Sequence, residues 1–471
     1  MRPLKQGITK KISFVAFSSL ALLPMQSYSQ SLEQAVAHTL DTNPEIHEAF
    51  TRFKVSEKQV DQAEAGYYPT LDLTGGIGRE YTDSTTTRGY TADGNNTETL
   101  TRRELGISLK QSLFSGFGTS SEVDRTSFAT SAEQWRLETI AEDISLEVVQ
   151  VYVDLMQAEK LVTLTEKNLQ SHVDIYDQIK ERTDSGFSSK ADLSQISGRL
   201  AQAQSSLIAA KNNYLDAKTK FYTVVDQRPE DLVLPYPDKS MLPATQDEGI
   251  LVALKNHPAV WAASNDIQSA TAQYNSAKST FYPEVTFEVD ANFNDNIDGV
   301  DGSNTGNTGS GVGGENNEVV AMLRFRYNLF SGGKDSAYAK ETAYKINQAK
   351  ALNMTAHREV KEGFILSWDA FELLNIQKKY IKLHVIAAKD TQDDYKEQFK
   401  IGQRSLLDLL DTENELFQAR QDFLEAEFAE ITAQYRILHS MGTLLDSLRV
   451  TRPGTWKGEN QFEGGVQNEK D

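Results

Sequence analysis

The sequence predicts a mixed fold, in which long coiled-coil helices alternate with a few membrane-length β-strands and the whole pattern is built twice. Three observations predict it. Short motifs recur in the same order about 215 residues apart, the mark of an internal repeat. Four segments alternate apolar and polar residues with period two. Two long stretches, from Gly116 to Gly186 and from Gly332 to Gly402, contain no proline and carry apolar residues at alternating steps of three and four.

The repeat is read from paired motifs. Asn43-Pro44 recurs as His257-Pro258, and Tyr67-Tyr68-Pro69 as Phe281-Tyr282-Pro283. Leu113-Phe114-Ser115-Gly116 recurs as Leu329-Phe330-Ser331-Gly332, and Gly186 with Asp192 recurs as Gly402 with Asp408. A two-residue slip falls in a Gly/Asn/Asp-rich stretch, where insertions are tolerated. The chain therefore divides into repeat one at 30–225, a linker at 226–246 marked by Pro229, Pro235, Pro237 and Pro243, and repeat two at 247–445. Residues 446–471 read as a polar tail.

Each repeat holds two strand candidates. The apolar faces are Leu71, Leu73 and Ile77; Leu105, Ile107, Leu109 and Leu113; Val285, Phe287, Val289, Ala291 and Phe293; and Val319, Ala321, Leu323, Phe325, Tyr327 and Leu329. Each is close to the ~9–11 residues of a tilted transmembrane strand. A soluble sandwich edge shows the same alternation, so the number of strands matters more than the pattern. Membrane barrels need at least about eight strands, and an open edge in lipid leaves backbone groups unpaired. Four strands that enter a membrane must therefore share their barrel with other chains. Residues 82–101 and 295–317, rich in Gly, Asn, Asp and Thr, read as mobile exposed loops.

The rest is helix. One stripe runs Val148, Val151, Leu155, Ala158, Val162, Thr165, Leu169, His172, Tyr176, Ile179; a second runs Val360, Phe364, Ser367, Phe371, Leu374, Lys378, Ile381, Val385. Leu410, Phe417, Leu424, Ile431, Leu438 and Leu445 recur every seventh residue. Each proline-free stretch would make roughly 100 Å of helix, too long for the core of a compact domain. His172 reads as a packed core residue, and Lys378 as one that must snorkel or find a partner.

The chain begins like an exported protein. Arg2, Lys5, Lys10 and Lys11 precede an apolar run from Ile12 to Leu23, and Ser27 and Ser29 stand at small-residue cleavage positions before Gln30. Residues 1–29 therefore read as a signal peptide, and the run is short for a membrane helix. The formal net charge is −19, and removal of that segment takes it to about −23, which argues against nucleic acid as a partner. There are no cysteines, hence no disulfide, no thiol catalysis and no lipid-modified cysteine after the signal. Mean hydropathy is −0.48. The seven histidines lack metal-ligand spacing, nothing resembles a catalytic triad, and Ser331-Gly332-Gly333-Lys334 lacks the leading Gly and trailing Ser/Thr of a phosphate loop. No enzyme, metal or cofactor is expected.

The duplicated motifs together resemble the TolC family of outer-membrane efflux and secretion proteins, over nearly all of the chain. The resemblance implies a homotrimer in the outer membrane, each chain giving four strands to a transmembrane β-barrel and paired helices to an α-helical coiled-coil tunnel in the periplasm. It implies a periplasmic adaptor (membrane fusion) protein and an inner-membrane transporter, ABC or proton-driven, as partners, beside outer-membrane lipid. Asp408 and Asp411 match the family's periplasmic entrance constriction, and three residues apart they share a helix face. Ser405 and Asp408 also form a capping pattern, which Ser189 and Asp192 repeat, so Asp408 has a purely structural reading too. Asp411, opposite Gln195 in the other repeat, has none. Arg404 matches an entrance latch that reaches an Asp at the position of Asp192; a Tyr of that latch is Phe399 here, without its hydroxyl. The function implied is the exit duct of a tripartite export machine. The missing anchor cysteine favours type I protein secretion over the alternative of multidrug or small-molecule efflux. A trimeric coiled-coil adhesin or rod would need no strands, and a passive porin no such helices.

Overall fold

The computed structural model describes residues 29–83, 97–296 and 314–458. The expected signal peptide and the middles of the two expected loops lie outside the described residues. Repeat one runs α1 (Leu32–Thr42), α2 (Pro44–Glu64), β1 (Thr70–Thr82), β2 (Glu98–Ser115), α3 (Gly118–Asp184) and α4 (Lys190–Val225). Repeat two runs α5 (Gln246–Asn256), α6 (Pro258–Lys278), β3 (Glu284–Asn296), β4 (Gly314–Arg326), α7 (Lys334–Lys400) and α8 (Leu406–Ser440), followed by the one-turn helix α9 (Leu444–Ser447). The elements correspond one to one. Helices α3 and α7 both have 67 residues, about 100 Å of helix, and α2 and α6 both have 21.

Local sequence places the boundaries. Asn43 and His257 cap α2 and α6, each followed by proline at the first helical position, where its missing N–H costs nothing. Helices α3 and α7 end alike. Gly186 (φ 79°) and Gly402 (φ 78°) adopt the left-handed conformation that glycine tolerates. Phe187 N–H then bonds the Arg182 carbonyl at 2.7 Å, and Gln403 N–H that of Gln398 at 2.9 Å. Ser189 and Ser405 open the next helices with reciprocal capping boxes to Asp192 and Asp408.

The core lies where α1, α3, α4, α8 and the C-terminal segment meet, around Leu137, Val148, Tyr152, Phe221, Leu438 and Leu445. Burying side chains of this kind contributes roughly 1.5–3 kcal/mol each. Tyr152 fastens the linker there. Its hydroxyl lies 2.8 Å from the Gln30 carbonyl and 2.7 Å from that of Val233, and accepts the Val233 N–H at 2.9 Å.

Several expectations need correction. The strands reach further into the two loops than the alternation suggested, to Thr82, Glu98, Asn296 and Gly314. Tyr327 and Leu329 lie beyond the end of β4. Leu113 falls at a β-bulge between Ser112 and Phe114, so Phe114 takes the place opposite Val285. The seven-residue rhythm breaks before Leu445, because α8 ends at Ser440 and Gly442 (φ 68°) turns the chain. Residues 446–458 are not a free polar tail: Leu448, Val450 and Trp456 are buried in the core.

Candidate functional site

The four strands form one antiparallel sheet in the order β1-β2-β3-β4. Their register aligns one apolar row after another: Leu73 opposite Ile107, Ile107 opposite Ala291, and Ala291 opposite Val319. Leu71, Leu109, Val289 and Ala321 form the next row. This face is bare; Leu73 is 72% exposed and Leu323 66%. The opposite face is charged and hydrogen-bonded. Arg102 Nη1 meets Glu80 at 3.1 Å, Arg324 Nε meets Glu288 at 2.6 Å, and Ser108 donates to Asp290 at 2.6 Å. One face thus suits hydrocarbon and the other water. Among the described residues β1 and β4 each pair on one side only. Such edges in lipid cost several kcal/mol per unpaired group, so the sheet must continue into other copies.

Far along the helices lie the two hairpin tips, at the α3–α4 and α7–α8 turns. Ser405 holds Asp408 through its hydroxyl (2.8 Å) and its backbone N–H (3.1 Å), and these bonds hold the Asp408 carboxyl below its ordinary pKa. Asp192 is held the same way, by the backbone and then the hydroxyl of Ser189, with Ser188 adding a bond. Both aspartates are therefore caps, and both stay ionised. Asp411 is exposed, with Arg199 Nη2 of α4 at 3.5 Å. Phe399 is buried in a cluster drawn from four helices, among Ile175, Ile179, Ile196, Leu406 and Leu410.

Within one chain Arg404 and Asp192 take different partners. Arg404 lies over the Tyr395 ring at 4.1 Å and donates to Gln398 at 2.9 Å. The structure thus places Asp408 and Asp411 three residues apart on α8, each with its own partner, and does not join Arg404 to Asp192. Sequence reasoning missed Arg182, Arg199 and Tyr395. Arg182 sits over the Phe399 ring at 5.1 Å and donates to the Lys400 carbonyl at 3.3 Å. No spacing rule finds the Arg182 and Arg199 contacts, because they join opposite repeats, whereas Tyr395 meets Arg404 within its own hairpin.

Two single residues fall as expected. His172 is buried, its Nδ1 at 2.9 Å from the Asn168 carbonyl, and Lys378 pairs with Glu430. Near the core, Glu142 accepts the N–H groups of Leu444 and Leu445 at 3.0 and 3.1 Å, and Arg452 joins Glu138 and Asp446. Burial pushes the Glu138 carboxyl up to about 7 and that of Glu142 up to about 8. Among the described residues there is no group of three or more acidic, histidine or cysteine side chains able to hold a metal, and no helix long and apolar enough to cross a membrane.

Residues 35–225 and 250–443 match the family described as outer membrane efflux protein, one match in each repeat. The chain belongs to that family. Among its relatives, the outer membrane efflux protein BepC of Brucella suis is 23% identical over 95% of this chain and 93% of its own length. The outer membrane protein TolC of Escherichia coli is 21% identical over 92% of this chain and 85% of its own. Among solved structures, the outer membrane protein VceC of Vibrio cholerae superposes with a TM-score of 0.72 at 15% identity, covering 88% of this chain and 96% of that one. A membrane protein of Pseudomonas aeruginosa gives 0.72 at 16% identity, covering 87% and 93%. The fold is therefore that of the TolC-like trimeric channels, a shared barrel continued by a helical tunnel. As an outer membrane efflux protein the chain resides in the outer membrane and extends into the periplasm, as a channel of tripartite systems.

Proposed function

We propose that three copies form the exit duct of a type I secretion machine, taking protein cargo from an inner-membrane transporter through a periplasmic adaptor. The sheet carries the duct part of this reading: an apolar face and two open edges are stable in a membrane only when further copies close the barrel. The lack of cysteine supports the secretion branch, because a chain without one has no site for a lipid anchor. Asp408 and Asp411 of each copy would converge at the tunnel's periplasmic end, as six carboxylates suited to hard cations. On assembly Arg404 would exchange Gln398 for Asp192 of an adjacent copy, with Phe399 packed behind it.

Two measurements test this. In a planar bilayer the trimer should conduct, select for cations, and be blocked by a trivalent hexammine complex from the periplasmic side. Replacing Asp408 and Asp411 with Ala should abolish the block; unchanged block reduces both residues to structural roles. The cargo is tested in Escherichia coli lacking its own TolC and carrying a type I exporter. Secreted protein in the medium is the expected result. Restored drug resistance without secretion would favour small-molecule efflux instead.

A further inference from the structure

We propose that the two hairpin tips of each chain are fastened to one another across the repeat boundary by Arg182 and Arg199, which makes each chain's share of the entrance one rigid unit. The proposal rests on reading the tips as the entrance. Arg182 ends α3 and reaches α7 in two ways. Its guanidinium lies over the Phe399 ring at 5.1 Å, and its Nη2 donates to the Lys400 carbonyl at 3.3 Å. That carbonyl belongs to the last turn of α7, where helix carbonyls lack intrahelical partners and the helix dipole favours a cation. A ring without a hydroxyl leaves its face to a planar cation, and a guanidinium can stack and donate at once.

Arg199 makes the second tie, from α4 to Asp411 on α8 at 3.5 Å. An exposed ion pair of this kind is weak alone. Here it lies beside the apolar cluster that joins α3, α4, α7 and α8 through Ile179, Ile196, Phe399 and Leu410, so little further ordering is needed to form it. Both ties run from repeat one to repeat two. Arg404, by contrast, spends its contacts on its own hairpin, with Tyr395 and Gln398. Arg199 also sets a positive charge beside the one entrance aspartate that caps nothing, so the charge presented by Asp411 depends on it.

The chain has no cysteine, so labels can be placed freely. Phe187→Cys and Ile401→Cys put one spin label on each exposed tip turn. Labelled chains assembled with an excess of unlabelled ones report the tip-to-tip distance within a single chain. Arg182→Ala with Arg199→Ala should broaden and lengthen the distance distribution, and raise the conducting fraction in a bilayer roughly threefold to tenfold. Arg199→Gln alone, at a partly exposed site that the fold does not need, should give a smaller shift that vanishes in an Asp411→Asn background. A distribution unchanged in the double variant overturns the fastening, as does an Arg199→Gln effect of equal size with and without Asp411. If the wild type fails to conduct while the distances respond as expected, the fastening stands and the entrance reading falls.

Discussion

The two repeats fold alike and are finished differently. The far side of repeat one is filled by repeat two: β2 pairs with β3, and α3 packs on α6 through stacked Trp135 and Trp261 and the Arg136–Asp266 pair. A side chain at Gly116 would strike the Ser279 carbonyl at 2.5 Å, so even the backbone is close there. At the equivalent Gly332 nothing lies within 4 Å, and β4, the counterpart of β2, has an open edge. On α7, Leu366, Leu373 and Tyr380 recur every seventh residue and stand exposed; on α4, so do Ile208, Leu215 and Tyr222. The difference teaches that one packing rule runs through the chain and continues past its end. By that rule, the next copy's repeat one would do for repeat two what repeat two does for repeat one.

The largest test of that comparison is to spoil an open seam. Leu373→Glu with Tyr380→Glu places two charges where a neighbouring helix must be apolar, while both side chains already face solvent in the single chain. Mass measurement in mild detergent should find monomers in place of trimers, with helical content kept by circular dichroism. Trimers of normal stability would show that these seams face water in the assembly.

A smaller effect is expected where repeat two ends. The linker after repeat one is held on α3 by the neutral Tyr152 hydroxyl, whereas the segment after repeat two is clasped onto α3 by ion pairs. Arg452 pairs there with Glu138, buried on α3, and with Asp446. Removing it by Arg452→Ala strands a buried carboxyl and should cost about 3–5 kcal/mol. Denaturant unfolding measures this, and pairing the change with Glu138→Gln should recover part of the loss. A cost no larger than that of a surface ion pair would mean that the clasp does not hold the segment.

How much of this was legible in the sequence follows from the range of each interaction. The four strands and the long helices rest on patterns within a few residues, and all are present, although the strands run further than the alternation showed; the repeat shows in paired motifs about 215 residues apart. Asp408 and Asp192 carried a local capping signal, and the caps are there. The misses are tertiary. Leu113 alternated correctly, but a bulge that only the partner strand reveals moved it out of register. The polar composition after residue 446 hid Leu448, Val450 and Trp456, which are buried because the clasp brings them to the core. Arg182 and Arg199 gave no signal, because each has its partner more than 200 residues away in sequence, in the other repeat.

The smallest effect concerns the caps of α2 and α6, where the repeats differ by one residue. Asn43 accepts the N–H groups of Glu45 and Ile46 at 2.8 and 3.3 Å, through an oxygen that does not titrate. His257 accepts the Ala259 N–H at 3.3 Å through Nδ1, which serves only while that nitrogen is unprotonated. Burial, and then the neighbouring His439, hold the His257 pKa down to about 4, against the weaker pull of Asp143. A depressed pKa means that the unfolded chain takes up the proton first. Its stabilising contribution is complete above about pH 6.5 and is lost as the pH falls towards 4. Glu138 and Glu142 act in the opposite sense. Their raised values favour the fold below about pH 4.5, a contribution lost as the pH rises through 7 to 8. The two trends overlap, so the histidine must be isolated by difference. His257→Asn gives repeat two the cap of repeat one and should change stability at pH 7.5 by less than about 1 kcal/mol. At pH 5 the variant should gain on the wild type by about 1–2 kcal/mol, read from denaturant midpoints at the two pH values. The reverse change, Asn43→His, puts a titratable nitrogen at the cap of repeat one and should introduce an acid sensitivity there. Parallel pH profiles for wild type and His257→Asn would mean that the cap tolerates the proton, and the two repeats would then be equivalent at this position.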